Sequence, residues 1–138
     1  MIRLLPHPVN PLEFIAYEGE FFTIEWYFDS NGKSPSLEHF EELPEKEQNR
    51  LLYLFNRMGD FGKISDITKF RHEGGGIYAF KPQPERFLCF FQEGRKIIVT
   101  NGFRKKRDKL PPSEHERAMK YRQDYAARIK EGIYYEHH

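Results

Sequence analysis

Four short runs rich in aromatic and β-branched residues constrain the fold of this chain more than any other feature. They span positions 69–72, 77–81, 86–92 and 96–102, and only three or four residues, with glycine or proline among them, separate one run from the next. A parallel connection between strands needs about a dozen residues or more, whereas a hairpin needs only a few. The sequence therefore predicts antiparallel hairpins throughout this region.

A further strand is predicted upstream of these runs. Apolar side chains there alternate with mostly polar ones, at Phe22, Ile24, Trp26 and Phe28. A period of two is typical of a strand with one buried face. The following Asp-Ser-Asn-Gly segment at 29–32 has the residue types of a turn, so the strand is expected to end there.

Helical patterns occur in two places, before and after the four runs. Ser34 and Pro35 have the residue types of an N-cap and a first helical position, which predicts a short helix. Pro44 begins a second helix, in which apolar residues recur at i, i+3, i+4 and i+7 on one stripe: Leu51, Leu54, Phe55 and Met58. Ser113 and Glu116 have the spacing of a capping box, which predicts the start of a last helix.

These elements follow one another as a strand, two helices, a series of hairpin strands and a last helix, and this order predicts an α+β domain. We expect an antiparallel sheet of about four strands, packed on one face by two N-terminal helices and a C-terminal helix. A length of 138 residues suits one such domain. We assign residues 1–20 to a proline-spaced arm, 21–132 to the domain and 133–138 to a tail, whose two final histidines we interpret as part of a purification tag.

Composition excludes several classes of protein. The single cysteine, Cys89, rules out an intrachain disulfide framework and a thiolate zinc site, and is typical of the reducing cytoplasm. No apolar run approaches the roughly 20 residues that cross a bilayer, so no membrane partner is expected. The histidines have no metal-ligand spacing.

The charge of the chain is unevenly distributed. Its 22 basic and 21 acidic residues give a net charge of +1. Residues 1–60 hold 5 Lys or Arg and 11 Asp or Glu, whereas residues 61–109 hold 12 and 5. The acidic residues of the two early helices are expected on the side of the sheet opposite any anion-binding face. Such asymmetry points to a polyanionic ligand.

The densest positive charge follows the most apolar run. Five cations occur within six positions there, namely Arg104, Lys105, Lys106, Arg107 and Lys109. Like charges at a strand end repel one another, so this arrangement favours contact with phosphates. The alternative, a solvated basic turn between the last strand and the last helix, stays open at this point.

The same segment resembles a known family. Residues 102–106 (Gly-Phe-Arg-Lys-Lys), with Leu-Pro at 110–111 and Glu-Arg-Ala at 116–118, resemble the G-F-x-K-K…P…E-x-x-A signature of the RelE/ParE toxin superfamily, in its HigB-like, phage-derived branch. Upstream segments at 34–44, 76–81 and 86–91 resemble that branch in the same order. The resemblance covers roughly residues 22–130.

The resemblance implies a RelE-like domain that acts as the toxin of a type II toxin–antitoxin system. Such a toxin is a metal-independent endoribonuclease that cuts mRNA on the ribosome, with no metal or organic cofactor expected, and a helix-turn-helix antitoxin neutralises it. Three features depart from the family: Lys81 stands where an arginine is usual, Arg107 stands where threonine or serine is frequent, and residues 1–20 have no counterpart. A ParE-like inhibitor of DNA gyrase and a non-catalytic RNA-binding relic remain alternatives.

Cleavage of RNA without metal requires a base, an acid and cations that stabilise the phosphorane. We predict Arg86 as the phosphate clamp, because a guanidinium matches two phosphate oxygens. Lys81 is predicted as base or second clamp, and Lys105 and Lys106 as residues that divide catalysis and ribosomal contact. The predicted RNA-binding residues are Arg71, His72, Arg104, Arg107 and Lys109, with His72 a further candidate acid or base.

Two other interpretations concern single side chains. His39 and His115 lie on polar helical faces in the sequence pattern, and we expect both to be ordinary surface residues. Tyr134 and Tyr135, in the predicted tail, could stack on bases.

Overall fold

The computed structural model of this protein describes residues 14–106 and 109–136. Within them the chain forms six strands and three helices, in the order β1 (Ile15–Glu18), β2 (Thr23–Trp26), α1 (Pro35–Glu41), α2 (Glu45–Phe61), β3 (Phe70–Gly74), β4 (Ile77–Phe80), β5 (Glu85–Gln92), β6 (Lys96–Arg104) and α3 (Pro112–Lys130). Arg107, the two final histidines and most of the predicted arm lie outside the described residues. None of the helices described is long and apolar enough to cross a membrane.

All six strands belong to one mixed sheet, in the order β1-β2-β6-β5-β4-β3. Neighbours are antiparallel except β2 and β6, which run parallel with Trp26 opposite Val99. The predicted antiparallel sheet of about four strands is therefore wrong. Connector length constrains only strands that follow one another in the chain, whereas β2 reaches β6 across two helices and three strands. The sixth strand is β1, from the segment interpreted as an arm, and it pairs with β2.

Helices cover both faces of the sheet, which corrects the prediction that they all pack on one. The face towards α1 and α2 contains Phe87 and Cys89 of β5, while the face towards α3 contains Leu88 and Phe90. β5 and β6 are thus apolar on both sides, and a strand buried on both faces needs cover on both. The result is three layers, with α1 and α2 on one side and α3 on the other.

The local signals in the first two helices are confirmed. The Leu37 backbone N–H donates to Ser34 Oγ at 3.3 Å, so Ser34 is the N-cap of α1 with Pro35 in its first position. The four apolar residues of the α2 stripe are all buried. Gly62 ends α2 at a φ of +76°, in the left-handed region that favours glycine.

The predicted capping box of the last helix is wrong. α3 begins at Pro112 and its N-cap is Pro111, two residues before the predicted cap, so Ser113 lies inside the helix and makes no cap. Proline suits the first helical position because it lacks an N–H that would otherwise need an acceptor. This preference sets the start of α3.

The residues after α3 continue into the core. Tyr134 is buried beside Tyr27 and Phe14, and its hydroxyl accepts a hydrogen bond from the Phe28 backbone N–H at 2.9 Å. The Tyr135 hydroxyl donates to Glu25 Oε1 at 2.6 Å. Both tyrosines therefore hold the C-terminal segment against the sheet. These contacts account for the two aromatic residues without the predicted stacking on bases.

Candidate active site

Four neighbouring strands place their ends at one edge of the sheet, because each runs antiparallel to the next. β3 and β5 begin at this edge, and β4 and β6 end there. Their terminal residues and the segment leading to α3 line one pocket, which we call the cationic pocket: Arg71, Glu73, Lys81, Arg86, Phe103, Lys105, Lys109 and Leu110. The fold thus brings together three of the four predicted catalytic residues and two of the predicted RNA-binding ones.

Arg86 lies at the beginning of β5, on the face towards α3. Its side chain is 6% exposed, and its Nη1 donates to Gln83 Oε1 at 3.2 Å and to the Glu85 backbone carbonyl at 3.0 Å. Burial lowers the pKa of Arg86 from its ordinary value, while the charge of Glu73 acts in the opposite direction. A guanidinium remains charged at neutral pH, so Arg86 presents a fixed cation to the pocket.

Lys81 follows the last residue of β4 and is 8% exposed. Its Nζ donates to the Ile67 backbone carbonyl at 3.1 Å. Burial, followed by the positive charges of Arg71 and Arg86, lowers the pKa of Lys81 from its usual 10.5. Lys81 therefore releases a proton more readily than an exposed lysine does.

Glu73 is the one carboxylate among the described residues that line the cationic pocket. Its Oε1 lies 3.3 Å from Arg71 Nη2, and its side chain is 9% exposed. The sequence analysis did not select this residue. A signal was present, since Arg71 and Glu73 are two positions apart on one strand and can therefore share a face.

Lys105 and Lys106 occupy different surroundings, as expected for adjacent residues at a strand end. Lys105 lines the cationic pocket, and its backbone N–H donates to the Pro84 carbonyl at 2.9 Å. Lys106 lines a neighbouring groove with apolar walls from Leu110, Pro111 and Pro112. The two lysines can therefore contact different parts of one ligand.

Arg104 and His72 lie away from the cationic pocket. The Arg104 Nη1 lies on the α1–α2 side, 3.1 Å from Glu85 Oε2 and 3.8 Å from Glu47 Oε1, and Arg104 also borders the groove that Lys106 lines. The His72 Nε2 accepts a hydrogen bond from the Gly76 backbone N–H at 3.1 Å, and its ring packs against Tyr78. Neither side chain joins Arg86, and Arg107 falls outside the described residues.

A second group of charges, which we call the Glu85 cluster, lies on the α1–α2 side of the same edge. It consists of Glu85, His39, Arg104 and Glu47. Glu85 is 1% exposed, and its Oε1 is 2.5 Å from His39 Nε2. The expectation that His39 is an ordinary surface residue is therefore wrong. Its partner is 46 positions away in the chain, so no local pattern indicates the contact.

Among residues 14–106 and 109–136, no three His, Cys, Asp or Glu side chains are grouped so that they could hold a metal ion. His115, the other histidine expected at the surface, is part-buried, with its Nε2 2.9 Å from the Gly74 backbone oxygen. This contact fixes α3 against the β3–β4 hairpin. It places His115 outside the cationic pocket.

Comparison with known proteins gives one match. The model of the family described as Phage derived protein Gp49-like (DUF891) matches residues 38–123, which is more than half of the chain. The matched segment runs from within α1 into α3 and includes every residue that lines the cationic pocket. A search of curated proteins found no match. The chain thus belongs to the Gp49-like phage-derived family, a family of type II toxins related to the RelE-like toxins.

Proposed function

We propose that this protein is the toxin of a type II toxin–antitoxin system, of the HigB-like branch, and that it cuts mRNA on the ribosome without a metal. The observation that carries the proposal is the convergence of five cations from four strands and the segment leading to α3 around one pocket. Members of the Gp49-like family are commonly toxins of such systems, which supports the same conclusion. The protein would act in the cytoplasm, where ribosomes translate mRNA.

The pocket suits attack of a 2′-hydroxyl on the adjacent phosphorus. Arg86 would bind two phosphate oxygens, because its guanidinium is planar and fixed by Gln83. Lys81 and Lys105 would stabilise the dianionic phosphorane, and fixed cations aimed at developing charge are the largest contribution in many enzymes. Arg71, which is exposed, would hold a flanking phosphate.

Partners follow from the same proposal. The family implies an antitoxin, which we expect to be a helix-turn-helix protein. Lys106 lies in the groove beside the pocket and would contact ribosomal RNA while the pocket holds the messenger. Lys109 lines both the pocket and the groove, so it can follow the RNA backbone from one to the other.

The proposal is tested with purified protein and translating ribosomes. We expect new mRNA fragments with 2′,3′-cyclic phosphate ends, detected by primer extension and by end-specific ligation. Arg86→Ala should remove them. The matched control is Arg57→Ala, which deletes an exposed arginine of α2 that packs over Phe61.

Two results would contradict the proposed cleavage. Intact mRNA together with stalled DNA gyrase would indicate a gyrase-inhibiting toxin. Salt-sensitive binding of RNA with intact messenger and uninhibited gyrase would indicate a non-catalytic relic of the fold. Fragments that persist in Arg86→Ala would instead remove Arg86 from the proposed site.

A further inference from the structure

The cationic pocket contains more proton donors than the proposed reaction can use. Cleavage by a 2′-hydroxyl requires one group that accepts its proton and another that donates a proton to the leaving 5′-oxygen. Five of the residues that line the pocket are lysines and arginines, which carry their protons at neutral pH. Glu73 is the only ionised acceptor among the described lining residues.

The backbone directs Glu73 into the pocket. In the β3–β4 ladder, His72 pairs with Tyr78 and Gly74 pairs with Ile77, so the register shifts by one residue and Glu73 has no partner opposite it. An extra residue of this kind is a β-bulge, which re-aims a side chain relative to a regular strand. Glu73 lies beside Arg71, two positions earlier on β3, on the face that also bears Arg86.

The surroundings hold Glu73 in place. Its Oε1 is 3.3 Å from Arg71 Nη2, and the side chain is largely buried at the edge of the sheet. Its charge also acts on Lys81 and Arg86, raising the pKa of each against the effect of burial. A carboxylate that Arg71 holds in the same pocket as Lys81 and Arg86 is a positioned acceptor within the proposed catalytic site.

We propose that Glu73 is the general base of the cleavage reaction and that Lys81 is its general acid. This inference rests on the proposed function. The 2′-hydroxyl gives its proton to a Glu73 carboxylate oxygen while the 2′-oxygen forms a bond to phosphorus. The bond from phosphorus to the 5′-oxygen breaks, and that oxygen takes a proton from the Lys81 ammonium. The products are a 2′,3′-cyclic phosphate and a 5′-hydroxyl, and exchange with water restores both side chains.

The assignment changes the role that the sequence analysis gave to Lys81. A lysine with a lowered pKa is a better acid than an ordinary lysine. Its hydrogen bond to the Ile67 carbonyl fixes the direction of the ammonium group. The pocket therefore contains two oppositely charged groups, the Glu73 carboxylate as the base and the Lys81 ammonium as the acid.

The test compares Glu73→Gln and Glu73→Asp with the wild-type protein and with Glu93→Gln, which removes an exposed acid from the β5–β6 turn. We expect Glu73→Gln to lower the single-turnover cleavage rate by about 10²–10⁴-fold on translating ribosomes. Its affinity for a short RNA should be unchanged or higher, because the substitution removes a negative charge from a cationic pocket. Glu73→Asp should retain part of the rate, and Glu93→Gln all of it.

The dependence of the rate on pH distinguishes a base from a structural residue. The wild-type rate should rise with pH as Glu73 loses its proton and fall at high pH as Lys81 loses its own, and Glu73→Gln should lack the acidic limb. Wild-type cleavage by Glu73→Gln would overturn the assignment and leave the proposed function intact. If cleavage, RNA affinity and melting temperature all fall together in Glu73→Gln, Glu73 has a structural role, and this result also overturns the assignment. Intact mRNA with the wild-type protein would overturn the proposed function and this inference together.

Discussion

Where β5 begins and β6 ends, the two faces of the sheet differ in how their charged side chains are paired. On the α1–α2 side, Arg104 lies between the carboxylates of Glu85 and Glu47, and His39 completes the Glu85 cluster. On the α3 side, the described residues that line the cationic pocket include five cations and a single carboxylate, Glu73. In the first group each charged side chain has an oppositely charged neighbour within the protein. The second leaves an excess of positive charge that suits an external anion.

The difference arises between neighbouring residues of one strand. Glu85 and Arg86 point to opposite faces, because side chains alternate along a strand. A carboxylate as buried as Glu85 is costly unless it is paired, and both of its oxygens have partners. Cations that crowd a pocket lower one another's pKa, which is unfavourable until an anion binds. Substitutions on one side should therefore act on stability, and substitutions on the other on activity.

The largest expected effect is on activity. Arg86→Ala should lower the cleavage rate about 10³-fold, because it removes a fixed donor to the phosphorane. The cleavage rate of Arg86→Lys should lie between those of the wild type and Arg86→Ala, because this variant keeps the charge and loses the bidentate geometry. Single-turnover cleavage on translating ribosomes measures both, with Arg57→Ala as the control. Full activity in Arg86→Ala would contradict the comparison.

The next effect is on stability. Glu85→Gln removes the charge that holds His39 and Arg104, and it should lower the free energy of unfolding by about 1–3 kcal/mol. Urea unfolding at neutral pH measures the change, and Glu93→Gln is the matched control at an exposed position. Specific activity per folded molecule should remain near that of the wild type. A loss of cleavage without a loss of stability would place Glu85 in the reaction.

A smaller effect concerns salt. Lys105→Ala should weaken RNA binding and reduce the slope of log affinity against log salt concentration by about 1, as expected when one phosphate contact is lost. Lys46→Ala, on α2, should leave the slope unchanged. Titrations of a short RNA at several salt concentrations give both slopes. Equal slopes for wild type and Lys105→Ala would remove this lysine from the RNA contact.

The smallest effect is on the dependence of stability on pH. Burial and nearby positive charges lower the pKa of Lys81 in the folded state, so the folded protein binds this proton less tightly than the unfolded chain does. The resulting penalty is present at neutral pH and is relieved as the pH rises towards 10.5. Arg71→Gln removes one of the charges that cause this penalty. As the pH rises over this range, the free energy of unfolding of the wild type should therefore increase relative to that of the variant, by less than about 1 kcal/mol. Urea unfolding near neutrality and at high pH measures the gain, and a constant difference would contradict it.

Local chemistry explains which parts of the fold the sequence predicted. The cap at Ser34 and the buried stripe of α2 depend on residues close in the chain, and both are confirmed. The parallel pairing of β2 with β6 depends on segments far apart, and no connector reports it. The apolar character of β5 on both faces could have indicated two covering layers, because a strand with one solvated face alternates.

The same division holds for the candidate site. Lys81, Arg86 and Lys105 meet because hairpins bring strand ends to one edge, which the sequence analysis used. Arg104 was predicted to join them. It is adjacent to Lys105, however, and adjacent side chains of a strand point to opposite faces. Glu73 shares a face with Arg71 two positions earlier, so the spacing could have indicated it, whereas the β-bulge beside it could not be read from the sequence. His39 depends on a contact across the fold.

The most direct test of the central claim compares two arginines on opposite faces of this one edge. Arg86→Ala and Arg104→Ala each remove one guanidinium, and the cleavage rate per folded molecule is measured with a saturating excess of translating ribosomes, at a temperature where both variants are folded. The account predicts that Arg86→Ala loses cleavage about 10³-fold while Arg104→Ala keeps it and melts at a lower temperature. Equal loss in both variants, or loss in Arg104→Ala alone, would contradict the assignment of the cationic pocket as the site of cleavage.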